Sequence, residues 1–334
     1  MGRVLNTNDV VRAVLTVGAL GLGAAACGSD GASTPTDSAG GGTEQLVIVV
    51  TTNILGDVVT EAVGDQAQVE VIMPLGSDPH DFAPSARQAE SMENADLLVV
   101  NGAGFEEGML DIISNVSDSG TPIFSFADQI DLLTFDGTHD HAESDDHGSD
   151  GEHAGEGTDP HLWTDPTRIA TAVESLGAVV ADLDGVDPDR VSSSFADYLA
   201  ELSDLDASMQ DTLSEVPQDQ RVLVTNHEVF GYFADRFDFQ VVGAIIPSLT
   251  TNAEPSASDV EELASLIEAD GIGAVFAETT QSSTLADALA DEVGGTVEVV
   301  ELFSESLGED GSGAETYVGM MQRNAELVAG ALAP

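Results

Sequence analysis

The run "QLVIVVTTN" is a β-branched strand pattern, and the apolar residues after it, Ile54, Leu55, Val58, Val59 and Ala62, fall at helical spacing up to Gly64. The pairing recurs. "VEVIMP" precedes a helix beginning near Pro84, "ADLLVVNG" a short helix from Phe105, and "PIFSF" closes the series. Further along, "RVLVTN", "FQVVGAI", "GAVFAE" and "TVEVVELF" are followed by helical patterns from Glu228, Ser256, Thr284 and about Ala314. Parallel strands need a crossover between them, and an amphipathic helix supplies it. The alternation therefore predicts an α/β fold of mostly parallel sheets flanked by helices, with ligands at the carboxyl ends of the strands.

The middle of the chain breaks this rhythm. In "TDPTRIATAVESLGAVVADL", Asp165 is placed as N-cap and Pro166 at the first helical position, where its missing N–H costs nothing. "VDPDRVSSSFADYLAELSDLDASMQDTLSEVP" repeats the opening with Asp187 and Pro188, then runs to Val216 without Gly or Pro. Val191, Phe195, Tyr198, Leu199, Leu202, Leu205, Met209 and Leu213 keep a helical period. A helix over Pro188 to Val216 would be about 43 Å long at roughly 1.5 Å per residue, enough to cross a molecule of this size. The expected layout is two α/β lobes, 45–186 and 218–334, joined by one long rigid helix, 187–217. A helix of that length resists hinge bending, so movement of a lobe and its loops is expected to be local.

The first residues read as an export signal over 1–26: Arg3 and Arg12 precede an apolar run, Ala13 to Ala26, too short to span a bilayer. Small residues lead to Cys27, the one cysteine of the chain, and a Gly/Ser/Thr/Asp-rich stretch follows as a flexible tether over 27–44. This pattern resembles a bacterial lipobox, with Ala24 where leucine is commoner. It implies lipidation of Cys27 and anchoring outside the cytoplasmic membrane, the alternative being a buried thiol. With one cysteine no disulfide forms within the chain, and a metal site must use His, Asp and Glu.

The charge excludes other functions. There are 61 acidic residues against 8 basic ones, all arginine, and the net charge is −53. Such a surface repels nucleic acid and anionic substrates. It is also the solvated face expected of a protein in salty surroundings, while 42% hydrophobic residues keep the chain globular.

The seven histidines are unevenly placed. His139, His141, His147, His153 and His161 lie within "DGTHDHAESDDHGSDGEHAGEGTDPHLWTD", and His80 and His227 stand apart in "MPLGSDPHDFAPS" and "VLVTNHEVFGYF". His80 follows a strand by one loop, His227 follows a strand directly, and His161 precedes the helix at Pro166. Any one of them is most often a hydrogen-bonded loop residue. Three at strand-to-helix junctions point to a metal, and imidazole nitrogens with one carboxylate would complete a zinc tetrahedron. From Asp136 to Thr158 no apolar side chain exceeds alanine, so that segment cannot bury itself and is expected to be a mobile loop. Its His139, His141, His147 and His153 would chelate weakly, since ordering the chain costs about 1–2 kcal/mol per residue. The alternative for this loop is a solubilising insert. Trp163 is expected to pack.

"GSDPHDFAPS", "DPHLWTDP", "NHEVFGYFADRF" and "ELFSESLG", in this order, resemble the zinc and manganese solute-binding lipoproteins of bacterial ABC importers, the cluster A-I group, over nearly the whole mature chain. The resemblance implies a metal held between two lobes by His80, His161, His227 and Glu305. Glu305 stands where the family usually has aspartate, and its extra methylene requires the backbone to retreat or the carboxylate to turn. The resemblance also implies that Glu278 lies beside the site and orients a ligand imidazole; otherwise it caps a strand. The implied partners are a metal ion and a membrane-embedded ABC permease, with the protein acting as a monomer. Three imidazoles favour zinc over manganese, which prefers oxygen donors. The family's manganese binders usually carry glutamate where His227 stands, and its zinc importers carry a His-rich loop here. Two rivals come from other classes. A zinc hydrolase would use Glu228 or Glu278 to activate water, but no "HExxH" is present. A surface adhesin or metal buffer would keep the site and need no permease.

Overall fold

A computed structural model describes residues 46–135, 157–294 and 297–334. The signal segment, Cys27, the tether and the four histidines of the acidic run lie outside the described residues. The first sheet is built of strands β1 (Val47–Val50), β2 (Gln68–Val71), β3 (Leu97–Val100) and β4 (Ile123–Ser125), all parallel, in the order β2-β1-β3-β4. Helices α1 (Asn53–Val63), α2 (Ala86–Glu93) and α3 (Leu110–Ser119) are the crossovers. A two-stranded antiparallel pair, β5 (Thr134–Phe135) with β6 (Gly157–Thr158), brackets the acidic histidine run. Next come α4 (Pro166–Ala181) and α5 (Pro188–Leu213). The second sheet has β7 (Val222–Thr225), β8 (Gln240–Ala244), β9 (Ala274–Glu278) and β10 (Glu298–Leu302), again parallel, in the order β10-β9-β7-β8. Its helices are α6 (Gly231–Phe237), α7 (Ala257–Asp270), α8 (Thr284–Glu292) and α9 (Tyr317–Leu332). The fold is thus the expected α/β type with two parallel sheets.

Local chemistry sets the helix ends. Thr52 caps α1 by accepting the Leu55 N–H, and Gly64, at φ 57°, turns the chain away. Ser85 with Gln88 and Ser256 with Asp259 form capping boxes on α2 and α7. Asp165 and Asp187 accept the first N–H groups of α4 and α5, with proline at the first position of each, as the sequence indicates. The central strands β3 and β9 are buried along their whole length. This is the pattern of strands covered on both faces.

Several elements depart from the expected bounds, α9 among them, which starts at Tyr317 rather than about Ala314. Helix α5 ends at Leu213 rather than Val216: Pro217 disfavours helical backbone before it, and Arg221 donates to the carbonyls of Leu213 and Val216 instead. Helix α6 starts at Gly231 rather than Glu228: the Val229 N–H turns back to the His227 carbonyl and the Glu228 N–H goes to the Ser248 carbonyl, so the chain at Glu228 is a tight turn rather than helix. Helix α3 starts at Leu110 rather than near Phe105, preceded by one 3₁₀ turn over Glu107–Met109.

Helix α5 packs against α1, α4 and α9 through Val191, Phe195, Tyr198, Leu202, Leu205, Met209 and Leu213, all buried. Each such side chain contributes about 1.5–3 kcal/mol of burial. One continuous core runs from Ile48 and Val50 of the first sheet through this stripe to Phe276, Leu302 and Val328. The order of successive strands reverses between β1 and β3 and between β7 and β9, and His80 and His227 lie in the connections after β2 and β7.

Candidate metal centre

His80 lies in the loop after β2, His161 opens the short turn before α4, His227 follows β7, and Glu305 follows β10. These four distant positions meet. One ligand atom from each falls within 4.8 Å of the others, and all four side chains are buried, at 2, 0, 0 and 1% exposure. His80 Nε2, His161 Nε2 and His227 Nε2 stand 3.0, 3.8 and 3.5 Å from Glu305 Oε1, and the last two nitrogens are 3.4 Å apart. Ligands about 2.0–2.1 Å from a tetrahedral ion are separated by about 3.3–3.4 Å, so the cluster already has the right size.

Each ring is oriented from behind by a carboxylate. His80 Nδ1 lies 3.0 Å from Glu107 Oε1, His161 Nδ1 2.8 Å from Asp159 Oδ1, and His227 Nδ1 2.5 Å from Glu278 Oε1. An ionised carboxylate only accepts, so each Nδ1 carries a proton, and each ring in its neutral form would turn its Nε2 lone pair to the centre. His80 Nε2 and both Glu305 oxygens are buried without a hydrogen-bond partner. The short His80 Nε2 to Glu305 separation therefore brings charge together without the alignment of a hydrogen bond. Buried orphan acceptors are costly, and a cation among them removes the cost.

The electrostatics follow. Burial opposes charge on His227, but the carboxylates of Glu278 and Glu305 outweigh it and hold its pKa well above the ordinary value. His80 is likewise raised, Glu305 overcoming the effect of burial. For His161 burial wins over Asp159 and the pKa is lowered. Burial also opposes the charge on Glu305, yet His227 and His80 hold its carboxyl far below the usual range. A metal entering this cluster competes with protons for the same lone pairs.

The backbone around these residues explains their placement. The tripeptide Asp-Pro-His occurs twice, and each time the aspartate Oδ1 accepts the N–H of the histidine two residues on: Asp78 for His80 and Asp159 for His161, both at 2.9 Å. Asp159 also reaches the ring, and this is possible because Gly231 has no Cβ to meet its Oδ2. Trp163 is fully buried against Phe105 and the edge of His161, and its Nε1 donates to the Ser304 carbonyl next to Glu305. The Glu305 loop is pinned further by Asn53, which accepts the Leu307 N–H, and by Ser306, which accepts the Gly76 N–H. Sequence reasoning singled out Glu278 but not Asp159 or Glu107. The repeated Asp-Pro-His could have marked Asp159; nothing local marks Glu107, which is brought to His80 by the turn before α3.

The family model described as "ZnuA: Zinc-uptake complex component A periplasmic" matches residues 48–331. The manganese-binding lipoprotein MntA of Halalkalibacterium halodurans is 29% identical over 92% of this chain and 93% of its own length. The high-affinity zinc uptake system protein ZnuA of Bacillus subtilis is 27% identical over 90% and 91%. The structure of the periplasmic zinc-binding protein TroA from Treponema pallidum superposes with a TM-score of 0.75 at 27% identity, covering 87% of this chain and all of that one. The chain belongs to the ZnuA family of periplasmic metal-uptake components.

Proposed function

We propose that this protein binds one zinc ion through His80, His161, His227 and Glu305 and delivers it to the membrane-embedded permease of an ABC importer. The observation that carries this reading is the buried cluster of three Nε2 atoms and a carboxylate within 4.8 Å, with three of its acceptor atoms lacking partners. Three nitrogen donors and one oxygen suit zinc better than manganese. Manganese is the second reading, favoured by the likeness to the manganese-binding lipoprotein MntA. Titration of the purified protein with each metal, and anomalous scattering at the zinc edge from the loaded protein, test both the ion and its ligands. An ion bound elsewhere, or none bound, overturns the reading.

The role is carriage rather than catalysis. The four residues leave no side exposed for a substrate, and both oxygens of Glu278 are engaged, by His227 and by Ser304. A metallohydrolase needs an open coordination position and a base free to take a proton. Acylation at Cys27 would place the protein outside the cytoplasmic membrane as a monomer tethered by lipid, close to its permease. The division into lobes 45–186 and 218–334 about the helix 187–217 fits a carrier that holds its cargo between two sheets. Mass spectrometry of membrane-extracted protein tests the anchor, and growth of a deletion strain in chelated medium separates import from adhesion or buffering.

A further inference from the structure

His80 differs from His227 in how it is held. The carboxylate behind His227 bonds only within the second half of the chain, to His227 and Ser304. Both carboxylates that hold His80 also bond across to that half. Asp78 gives Oδ1 to the His80 N–H, and its Oδ2 accepts from Thr251 Oγ1 and from Gln281 Nε2, each at 2.6 Å. Glu107 gives Oε1 to the His80 ring, and its Oε2 accepts from Asn252 Nδ2 at 3.1 Å. Asn252 Nδ2 also donates to the His80 carbonyl at 3.2 Å. Thr251 and Asn252 lie in the β8–α7 connection and Gln281 in the β9–α8 connection, so two loops of the second sheet grip one histidine of the first. These bonds run at the rim, part-buried or exposed, whereas the cluster is closed to solvent.

We infer that Thr251, Asn252 and Gln281 form a latch that sets the rate of metal release by positioning His80 through Asp78 and Glu107. The inference rests on the metal-binding reading above. None of the three touches the ion's ligand atoms; they act on the backbone and on the far nitrogen of one ligand. While the latch is made, His80 keeps its Nε2 on the centre. When the second-sheet loops draw back, the two carboxylates lose their cross-chain partners and His80 loses its orientation, so opening and loss of a ligand become one event. Rim hydrogen bonds exchange readily with water, which makes them the contacts that can open without unfolding the core.

The test uses the full chain loaded with zinc and mixed with excess chelator, following release by stopped flow. The double variant Thr251→Val with Gln281→Leu, and separately Asn252→Ala, are expected to release zinc about tenfold faster than the parent. Zinc-edge absorption should still report three imidazoles and a carboxylate, and the metal-free proteins should melt at the parent temperature. Thr251→Ser, which keeps the hydroxyl, should release at the parent rate. Parent-like release from both latch variants overturns the inference while leaving the metal site intact, as does a Thr251→Ser protein as fast as the double variant. If the parent chain takes up no zinc, the metal-binding reading fails and the latch with it.

Discussion

Glu278 holds His227 with one oxygen and the neighbour of Glu305 with the other: its Oε1 is 2.5 Å from His227 Nδ1, and its Oε2 accepts from Ser304 Oγ at 2.6 Å. One carboxylate thus fixes a ring and the backbone that carries the acid opposite it. In Glu278→Gln the negative charge is lost and one acceptor oxygen remains, so His227 and Ser304 can no longer both donate to it. The expected outcome is a zinc affinity about 10–100-fold lower, read by competition with a chelator of known affinity. An unchanged affinity would remove Glu278 from the positioning of His227.

Gly231 is the first residue of α6, and a Cβ there would run into Asp159 Oδ2. Gly231→Ala should push Asp159 off the His161 ring without disturbing the helix. The expected result is zinc binding weakened by about tenfold, with the metal-free melting temperature nearly unchanged. Equal losses in both measurements would mean that the glycine serves packing alone.

The four histidines of the acidic run lie outside the described residues. Replacing His139, His141, His147 and His153 together by alanine is expected to leave one tightly held zinc per chain and to abolish weaker binding at higher zinc. Calorimetric titration resolves the two classes. His161→Ala should do the opposite, removing the tight class and sparing the weak one.

Asp57 on α1 accepts the Tyr317 N–H at 2.7 Å. Burial raises its pKa from 3.8 to about 6 despite that bond, with Glu61 and Glu201 adding repulsion. The folded state therefore holds a proton more tightly than the unfolded chain, so this contribution is full below about pH 4 and is lost as pH rises through about 6. Asp57→Asn keeps an acceptor for Tyr317 and removes the charge. It should stabilise the metal-free protein above pH 6 by about 1–2 kcal/mol, allowing for partial exposure, and flatten the slope between pH 4 and 6. Urea unfolding at pH 4.5 and 7.5 provides the comparison, and identical curves for variant and parent at pH 7.5 would refute it.

Much of the fold was legible because its signals are local. The β-branched runs and the proline after an aspartate at Pro166 and Pro188 act on neighbours within a turn. The differences arise where partners outside the helix decide: the turn at Glu228, pinned by Ser248, delays α6, and Arg221 reaches back to the Leu213 carbonyl at the end of α5. The bracketing strands Thr134–Phe135 and Gly157–Thr158 escaped notice because two residues carry no periodicity.

The amino-acid order by itself determined the strand-helix alternation, the caps, and which residue types could hold a metal without cysteine. It did so because backbone preference, capping and donor chemistry are properties of a residue and its nearest neighbours. Only tertiary structure decided that His80, His161, His227 and Glu305 converge, that Glu107 stands behind the His80 ring, and that Thr251, Asn252 and Gln281 reach across to the loop of His80. Those relationships join positions tens to hundreds of residues apart, and they exist only where the packing of two sheets against one long helix fixes the distance between them.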